Sequence, residues 1–537
     1  MKKFLIFALT LAMLVSILSV SGLACTMIYV GSDLTEDGAT YYGRSEDYIN
    51  CQNKLFLVSE AGTYEGTYTG CPAYGGGFTM QLEHASYRFT AFTGDNNDDG
   101  LCLECMEPAD HLSYSEAGTN EKGVTVSATE TLIDNGIVPE VDPYHNGEDP
   151  DLPVGIEETD IPTVILSEAA TAREGIELLC DIYDEYGCQD AAGLIIADQN
   201  EMWYIENCSG SQYIAILMTP DMIVLEPNMA VIGAIDLDDT DNVIASEGLI
   251  STAVEAGTFV GDEAENVIDF RASYSESYID DRLVNGLNYL DPDGDYTAEM
   301  LDADNSLFTI SNIDENGEIV PLYTNIVTDR VIGISDMVGY YQLDDIANTG
   351  NTDTTIFTIQ AEGAPETATV EWVSLDHNKY NVFVPYYPML TTDTYAAYQV
   401  STGDGAEFVT EQPSDDVMYV GSRSWMPTED GEWERVEGYS IFPEGWESSY
   451  YWAFDALSNY ILTRDDSNED YVLAAMADLQ NDIYDTYAQM QTVLIANPDA
   501  EYATVTSNAL SAQAHALALQ VFTEISAASA SGEASNG

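Results

Sequence analysis

Cys25-Thr-Met-Ile-Tyr-Val30, then Asp37-Gly-Ala-Thr40, then Tyr42-Gly-Arg44-Ser-Glu-Asp47 spell an apolar strand, a turn and a second strand. A hairpin of this length returns its end beside its start. It sets Arg44 near the Cys25 thiol, where a guanidinium charge favours thiolate, and Asp47 near the Cys25 backbone nitrogen. A surface Arg–Asp pair is the plainer reading of this segment alone. Upstream, Lys2 and Lys3 precede an apolar run from Phe4 to Val20, and Gly22-Leu23-Ala24 fits the small-x-small rule for signal peptidase. Cleavage after Ala24 leaves Cys25 with a thiol and a free α-amine, and the amine can act as base for its own side chain. Two other readings of Cys25 stay open here: a disulfide partner, or the lipid-bearing residue of a non-enzymatic surface lipoprotein.

The 537 residues suffice for one large domain or a few smaller ones. No second apolar stretch is long enough to span a membrane. Asp and Glu number 94 against 14 Lys and Arg, for a formal charge of −80. Such a surface repels nucleic acid and anionic membranes, so neither is an expected partner. It reads as solubility in a salty or dense medium, with an acidic metal-binding surface as the sharper alternative. All eight cysteines lie in the first 208 residues. In an exported chain they favour structural disulfides, and Cys102-Leu-Glu-Cys105 without a second such pair is weak support for zinc.

Short apolar segments at 26–30, 123–127, 193–197, 202–205 and 215–218 read as strands. A helical stretch, Ile161 to Asp184, interrupts them, and 134–152, rich in Asp, Pro, Gly and Asn, reads as an exposed loop. The region 262–345 mixes helix and turn signals, and strands return over 355–400. Helical periodicity marks 448–462, 468–495 and 509–525, ahead of a Ser/Ala/Gly tail read as disordered. This succession suggests a layered α+β core. The expected organisation is a signal peptide over 1–24, a main domain over 25–500, and a C-terminal helix and tail over 501–537. The turns Asp95–Gly100 and Asp291–Asp295 have the oxygen-rich look of calcium loops, but lack the full pattern with its terminal Glu and read as acidic turns.

Taken together, Cys25-Thr-Met-Ile-Tyr-Val-Gly, Asp37-Gly-Ala-Thr and Gly43-Arg-Ser-Glu-Asp47 resemble the start of cysteine dipeptidases of the dipeptidase A type. These are N-terminal-nucleophile hydrolases related to bile salt hydrolases and penicillin V acylases. The resemblance continues through Asn120–Thr131, Ala197–Glu206, Pro227-Asn228-Met-Ala-Val-Ile232, Asp269-Phe270, Tyr278–Leu287, Ile334–Met337, Val384–Tyr387 and Trp452–Asp455. It implies a four-layer αββα sandwich with additional C-terminal helices, and hydrolysis of dipeptides or short peptides without a cofactor. It also implies Cys25 as nucleophile, Arg44 and Asp47 as the pair that positions it, and Asn228 as an oxyanion donor. Arg282 matches a second active-site arginine, or else a salt-bridge partner of the neighbouring Asp280 and Asp281. Glu130 aligns near a polar oxyanion or substrate position, and a carboxylate-rich site suits the substrate's free amino group. The leader, the cysteines and the acidic insertions depart from the family's pattern and leave specificity open. Alternatives are the same chemistry on a bile salt, penicillin V or N-acyl lactone type amide. A homo-oligomer is left open.

Overall fold

The computed structural model describes residues 25–47, 53–70, 77–94, 115–130, 132–147, 149–328, 330–401, 407–414, 417–427, 433–464 and 466–535. The leader, Asp95–Gly100, Cys51, Cys71, Cys102 and Cys105 lie outside the described residues. In chain order the strands of the two large sheets are β1 (Thr26–Val30), β2 (Ala39–Asp47), β3 (Ala117–Thr119), β4 (Thr125–Glu130), β5 (Ala192–Ala197), β6 (Met202–Asn207), β7 (Tyr213–Leu217), β8 (Ile223–Glu226), β9 (Val243–Ala245), β10 (Asn351–Gln360), β11 (Thr369–Leu375) and β12 (Val384–Tyr386). The helices that cover them are α1 (Ile161–Glu168), α2 (Ala172–Tyr186), α3 (Asp281–Leu290), α4 (Ile334–Tyr341), α5 (Tyr450–Thr463), α6 (Glu469–Ala496) and α7 (Ala500–Ser535).

One six-stranded antiparallel sheet has the order β8-β1-β2-β10-β11-β12, and the other β9-β7-β6-β5-β4-β3. Adjacent residues of a strand point to opposite faces, so neighbouring side chains identify the layers. On β2, the Tyr42 hydroxyl donates to Thr125 Oγ1 of β4 at 2.5 Å, whereas Gly43 lies against the Tyr341 ring of α4. On β5, Ile196 meets Gly175 of α2, while Ile195 and Ala197 join the core between the sheets. The order is therefore helix, sheet, sheet, helix: the αββα α+β sandwich that the resemblance implies. Burial on both faces explains why these strands read as continuous apolar runs. Of the C-terminal helices, α6 covers the same outer face as α4, its Tyr484 and Tyr487 packing on Trp372 of β11, which is in register with Gly43 through Ile356.

Four expectations are corrected. The single helix over 161–184 is two, because Ala169 is extended and Thr171 starts a new N-terminus by accepting from Glu174 N at 3.1 Å. Glu174 answers by accepting from Ala170 N at 2.9 Å, a reciprocal cap. The 134–152 loop is not simply exposed: Val138 is buried, and the Asp142 carboxylate accepts from Ser209 and Ser211. The last helix runs on to Ser535, past the Ile525 end suggested by its apolar stripe. Cys25, Cys180, Cys188 and Cys208, the cysteines among the described residues, are buried free thiols rather than disulfide partners. Asp291 takes a hydrogen bond from Tyr296 within its own turn, and among the described residues no cluster of His, Cys, Asp or Glu is arranged to hold a metal. No described helix is long and apolar enough to cross a membrane.

Gly43 is required by close approach, since a Cβ there would sit 2.9 Å from the Tyr341 ring and 3.0 Å from Thr355 O. Tyr341 is fully buried and cannot swing away. Gly43→Ala should therefore lower unfolding stability by about 1–3 kcal/mol, read from the denaturant midpoint. An unchanged midpoint would contradict the packing described.

Candidate active site

The β1–β2 register pairs Thr26 with Ser45 and Met27 with Arg44, and continues to place Cys25 across from Glu46. Arg44 and Glu46, two apart, share a face. The Cys25 thiol lies 3.4 Å from Arg44 Nη2 and 3.9 Å from Glu46 Oε2. Arg44 is itself buried, its side chain 1% exposed, and is ion-paired with Glu46, with Glu158 at 2.8 Å and with Glu116 at 3.9 Å. Lys54 forms a second buried ion pair with Glu116. Asp353 of β10, opposite Glu46, hydrogen-bonds to Glu116.

Burial pushes the Glu116 carboxyl up, but Lys54, the Asp353 hydrogen bond and Arg44 outweigh it and hold Glu116 at about 2. Burial and the Glu116 charge push Asp353 well up instead, so the proton between the two carboxyls stays on Asp353. The Cys25 thiol departs from the expected thiolate. Burial raises it most, Arg44 pulls it down, and Glu46, Glu158 and Asp47 push it up, with a net rise well above its ordinary value. The guanidinium is shared among three carboxylates and cannot ionise the thiol alone.

Asp47 ends β2, where Asn348 Nδ2 and Asn351 Nδ2 donate to its carboxylate at 2.7 and 2.5 Å. Its charge acts on both Cys25 and Arg282. Arg282 enters from the first turn of α3. It donates to the Cys25 carbonyl at 2.7 Å, Thr26 Oγ1 at 2.9 Å, Pro227 O at 3.0 Å and Asn228 Oδ1 at 3.1 Å. It also pairs with Asp280 at 2.9 Å, the contact that the salt-bridge reading expects. Asn228 follows β8 with φ of 58°, a left-handed conformation that Asn tolerates better than most residues. The bond from Arg282 to its Oδ1 fixes which way the amide faces, and Tyr278 holds its backbone carbonyl at 2.6 Å.

Cys25, Arg44, Asp47, Asn228 and Arg282, spread over more than 250 positions, thus meet at one end of the sheet that contains β1 and β2. Glu130 ends β4 opposite Ala192, and its side chain lies outside the described residues. Sequence reasoning did not single out Glu46, Glu116, Glu158, Lys54 or Asp353 as site residues. Lys54 carried a signal, being a rare lysine at the head of the apolar strand Lys54–Ser59. The acids carried none in a chain with 94 of them.

The sequence profile of Peptidase family C69 matches residues 24–305, more than half of the chain. A protein named "Probable dipeptidase B" from Streptococcus pyogenes serotype M3 is 30% identical over 415 residues, covering 74% of this chain and 78% of that protein. A "Dipeptidase" from Bifidobacterium longum is 32% identical over 224 residues, covering 40% of this chain and 39% of that protein. Among solved structures, penicillin V acylase from Agrobacterium tumefaciens overlays loosely, with a TM-score of 0.30 and 11% identity over 65% of this chain and 82% of that one.

Removing Lys54 leaves Glu116 a buried charge with Arg44 at 3.9 Å. Lys54→Met should cost about 3–5 kcal/mol of unfolding stability near neutral pH. The sign with pH follows from Glu116 being held at about 2 against an ordinary 4.5. Its contribution is complete above 4.5 and is lost as pH falls through 2. A variant as stable as wild type at neutrality in denaturant titration would contradict the buried pair.

Proposed function

The chain belongs to peptidase family C69, and on that premise we propose that this hydrolase is an exported dipeptidase working through an acyl-enzyme on Cys25, freed by cleavage after Ala24. The observation that carries the reading is the thiol beside Arg44 on a residue whose own carbonyl is held by Arg282. A thiol kept protonated by burial and three carboxylates requires a base. An α-amine titrates near 7.7–8.0, about right for taking and returning a proton near neutrality. On Cys25 it sits on the nucleophile itself, with Asp47 nearby to orient it.

In this mechanism the substrate carbonyl binds against the thiol. As sulfur attacks, the S–H proton passes to the α-amine and the carbonyl π pair moves onto oxygen. Asn228, its Oδ1 occupied by Arg282, turns its amide donors toward that oxyanion. Collapse expels the leaving amine, which takes the proton, and water then releases the acyl group by the same path. Glu46 and Glu158 give the surroundings of the thiol a negative character that suits a substrate's free α-ammonium. Export is supported by the basic-then-apolar leader with its small residues at 22–24.

Cys25→Ala should abolish dipeptide hydrolysis in a protein that still folds, and dipeptide turnover by this variant would reject the nucleophile. Asn228→Ala should lower kcat by about 10²–10³-fold with little change in KM. In a panel of dipeptides and acyl amides, turnover of the amides alone would reject the substrate class. With cleavage after Ala24 blocked, Cys25 has no amine to assist it. Its alkylation by iodoacetamide should then climb with pH through 9 without a plateau near neutrality, because the thiol is held well above its ordinary value.

A further inference from the structure

The segment Pro227–Ile232 leaves β8 and carries Asn228 to Arg282 outside any ladder until Ile232 bridges to Ile310, yet Asn228–Ile232 are buried. Buried backbone polar groups must find partners, and here charged side chains supply them. Glu206 on β6 accepts from Val231 N at 2.6 Å through Oε1 and from Ile232 N at 3.2 Å through Oε2. Glu226 Oε1 accepts from Met229 N at 3.0 Å. Arg271 donates to Ala230 O at 2.5 Å and to Tyr278 O at 2.7 Å, and the Tyr278 hydroxyl returns to Asn228 O. Consecutive residues are thus tied to three ionisable side chains from three different elements.

We propose that Glu206 is a positioning residue for the reaction, clamping the backbone after Asn228 so that its amide stays aimed at the oxyanion. The inference rests on Asn228 being the oxyanion donor, as proposed above. Glu206 is fully buried, and it touches neither Cys25 nor the groups that surround the thiol. Holding a carboxylate there is unfavourable unless its lone pairs are used. Three donors use them, the third being the Tyr204 hydroxyl at 2.8 Å. A glutamine offers one acceptor oxygen, and its NH2 would oppose Val231 N–H or Ile232 N–H. Burial pushes the Glu206 carboxyl up to about 7, with Val231, Tyr204, Ile232 and Arg271 pulling it back. The clamp therefore weakens where the carboxyl is protonated.

The test compares E206Q with wild type on dipeptides and on an aminoacyl aldehyde, which adds the Cys25 thiol across its carbonyl and presents the new oxygen to the oxyanion site. Expected are a kcat lower by roughly tenfold or more, KM within about threefold, and weaker aldehyde binding by the factor lost in kcat/KM. Iodoacetamide alkylation of Cys25 should stay within about twofold, and amide exchange at Val231 and Ile232 should accelerate. Unchanged kcat and aldehyde affinity would overturn the proposal. So would a parallel fall of kcat, alkylation rate and melting temperature, the mark of a merely structural residue. Should E206Q not fold, Tyr204→Phe removes one donor and leaves the loop bonds. The charged and titratable groups around Glu206 are Tyr204 on its own strand, Cys208 beyond it, Arg271, and Glu226 beside Tyr204. The kcat of Y204F relative to wild type should be depressed at pH 7 and recover by pH 9, and a ratio flat with pH would overturn the clamp. Wild type that hydrolyses no dipeptide would defeat the proposed activity instead, while the exchange rates would still report on the clamp.

Discussion

A guanidinium with 1% of its side chain exposed governs the architecture around Cys25. Removing such a charge from water is unfavourable unless carboxylates replace the lost hydration. For Arg44 they come from β2 itself, from the segment before β3 and from the segment before α1. Glu116 in turn needs Lys54 from another strand and Asp353 from β10. One buried cation therefore fixes the mutual placement of segments more than 300 residues apart in sequence. The thiol sits on the edge of that network, and its ionisation answers to the network rather than to Arg44 alone.

Around this centre the fold uses residues twice. Arg282 neutralises Asp280 in the ordinary manner of a surface helix, but the same guanidinium holds the Cys25 carbonyl and the Asn228 amide oxygen. Asn228 supplies the turn out of β8 and an amide facing the site. In the mechanism proposed above, this economy brings the Cys25 thiol, the guanidinia and the Asn228 amide to one place.

Much of the fold was legible because local periodicity records it. The β1–β2 hairpin, the doubly buried strands at 192–197 and 202–207 and the long C-terminal helices follow from apolar spacing alone. The break at Ala169–Thr171 was legible too, as Thr171-x-x-Glu174, but the apolar stripe on either side masked it. The candidate residues Cys25, Arg44, Asp47, Asn228 and Arg282 were found from motif order and do converge. The supporting acids were not, because long-range ion pairs leave no period in the chain. The thiolate expectation failed for a related reason. Proximity to Arg44 was readable from the hairpin, whereas burial and the competing carboxylates belong to the tertiary structure.

The central claim is that Cys25 is both the N-terminal residue of the mature protein and its nucleophile. The most direct measurement is the mass of the N-terminal peptide after inactivation of the protein, collected from outside the producing cells, with an aminoacyl chloromethyl ketone. The account predicts a peptide that begins at Cys25, with a free α-amine and the label on its sulfur. A label on another cysteine, a peptide that still carries Ala24, or a diacylglycerol adduct on Cys25 would contradict it.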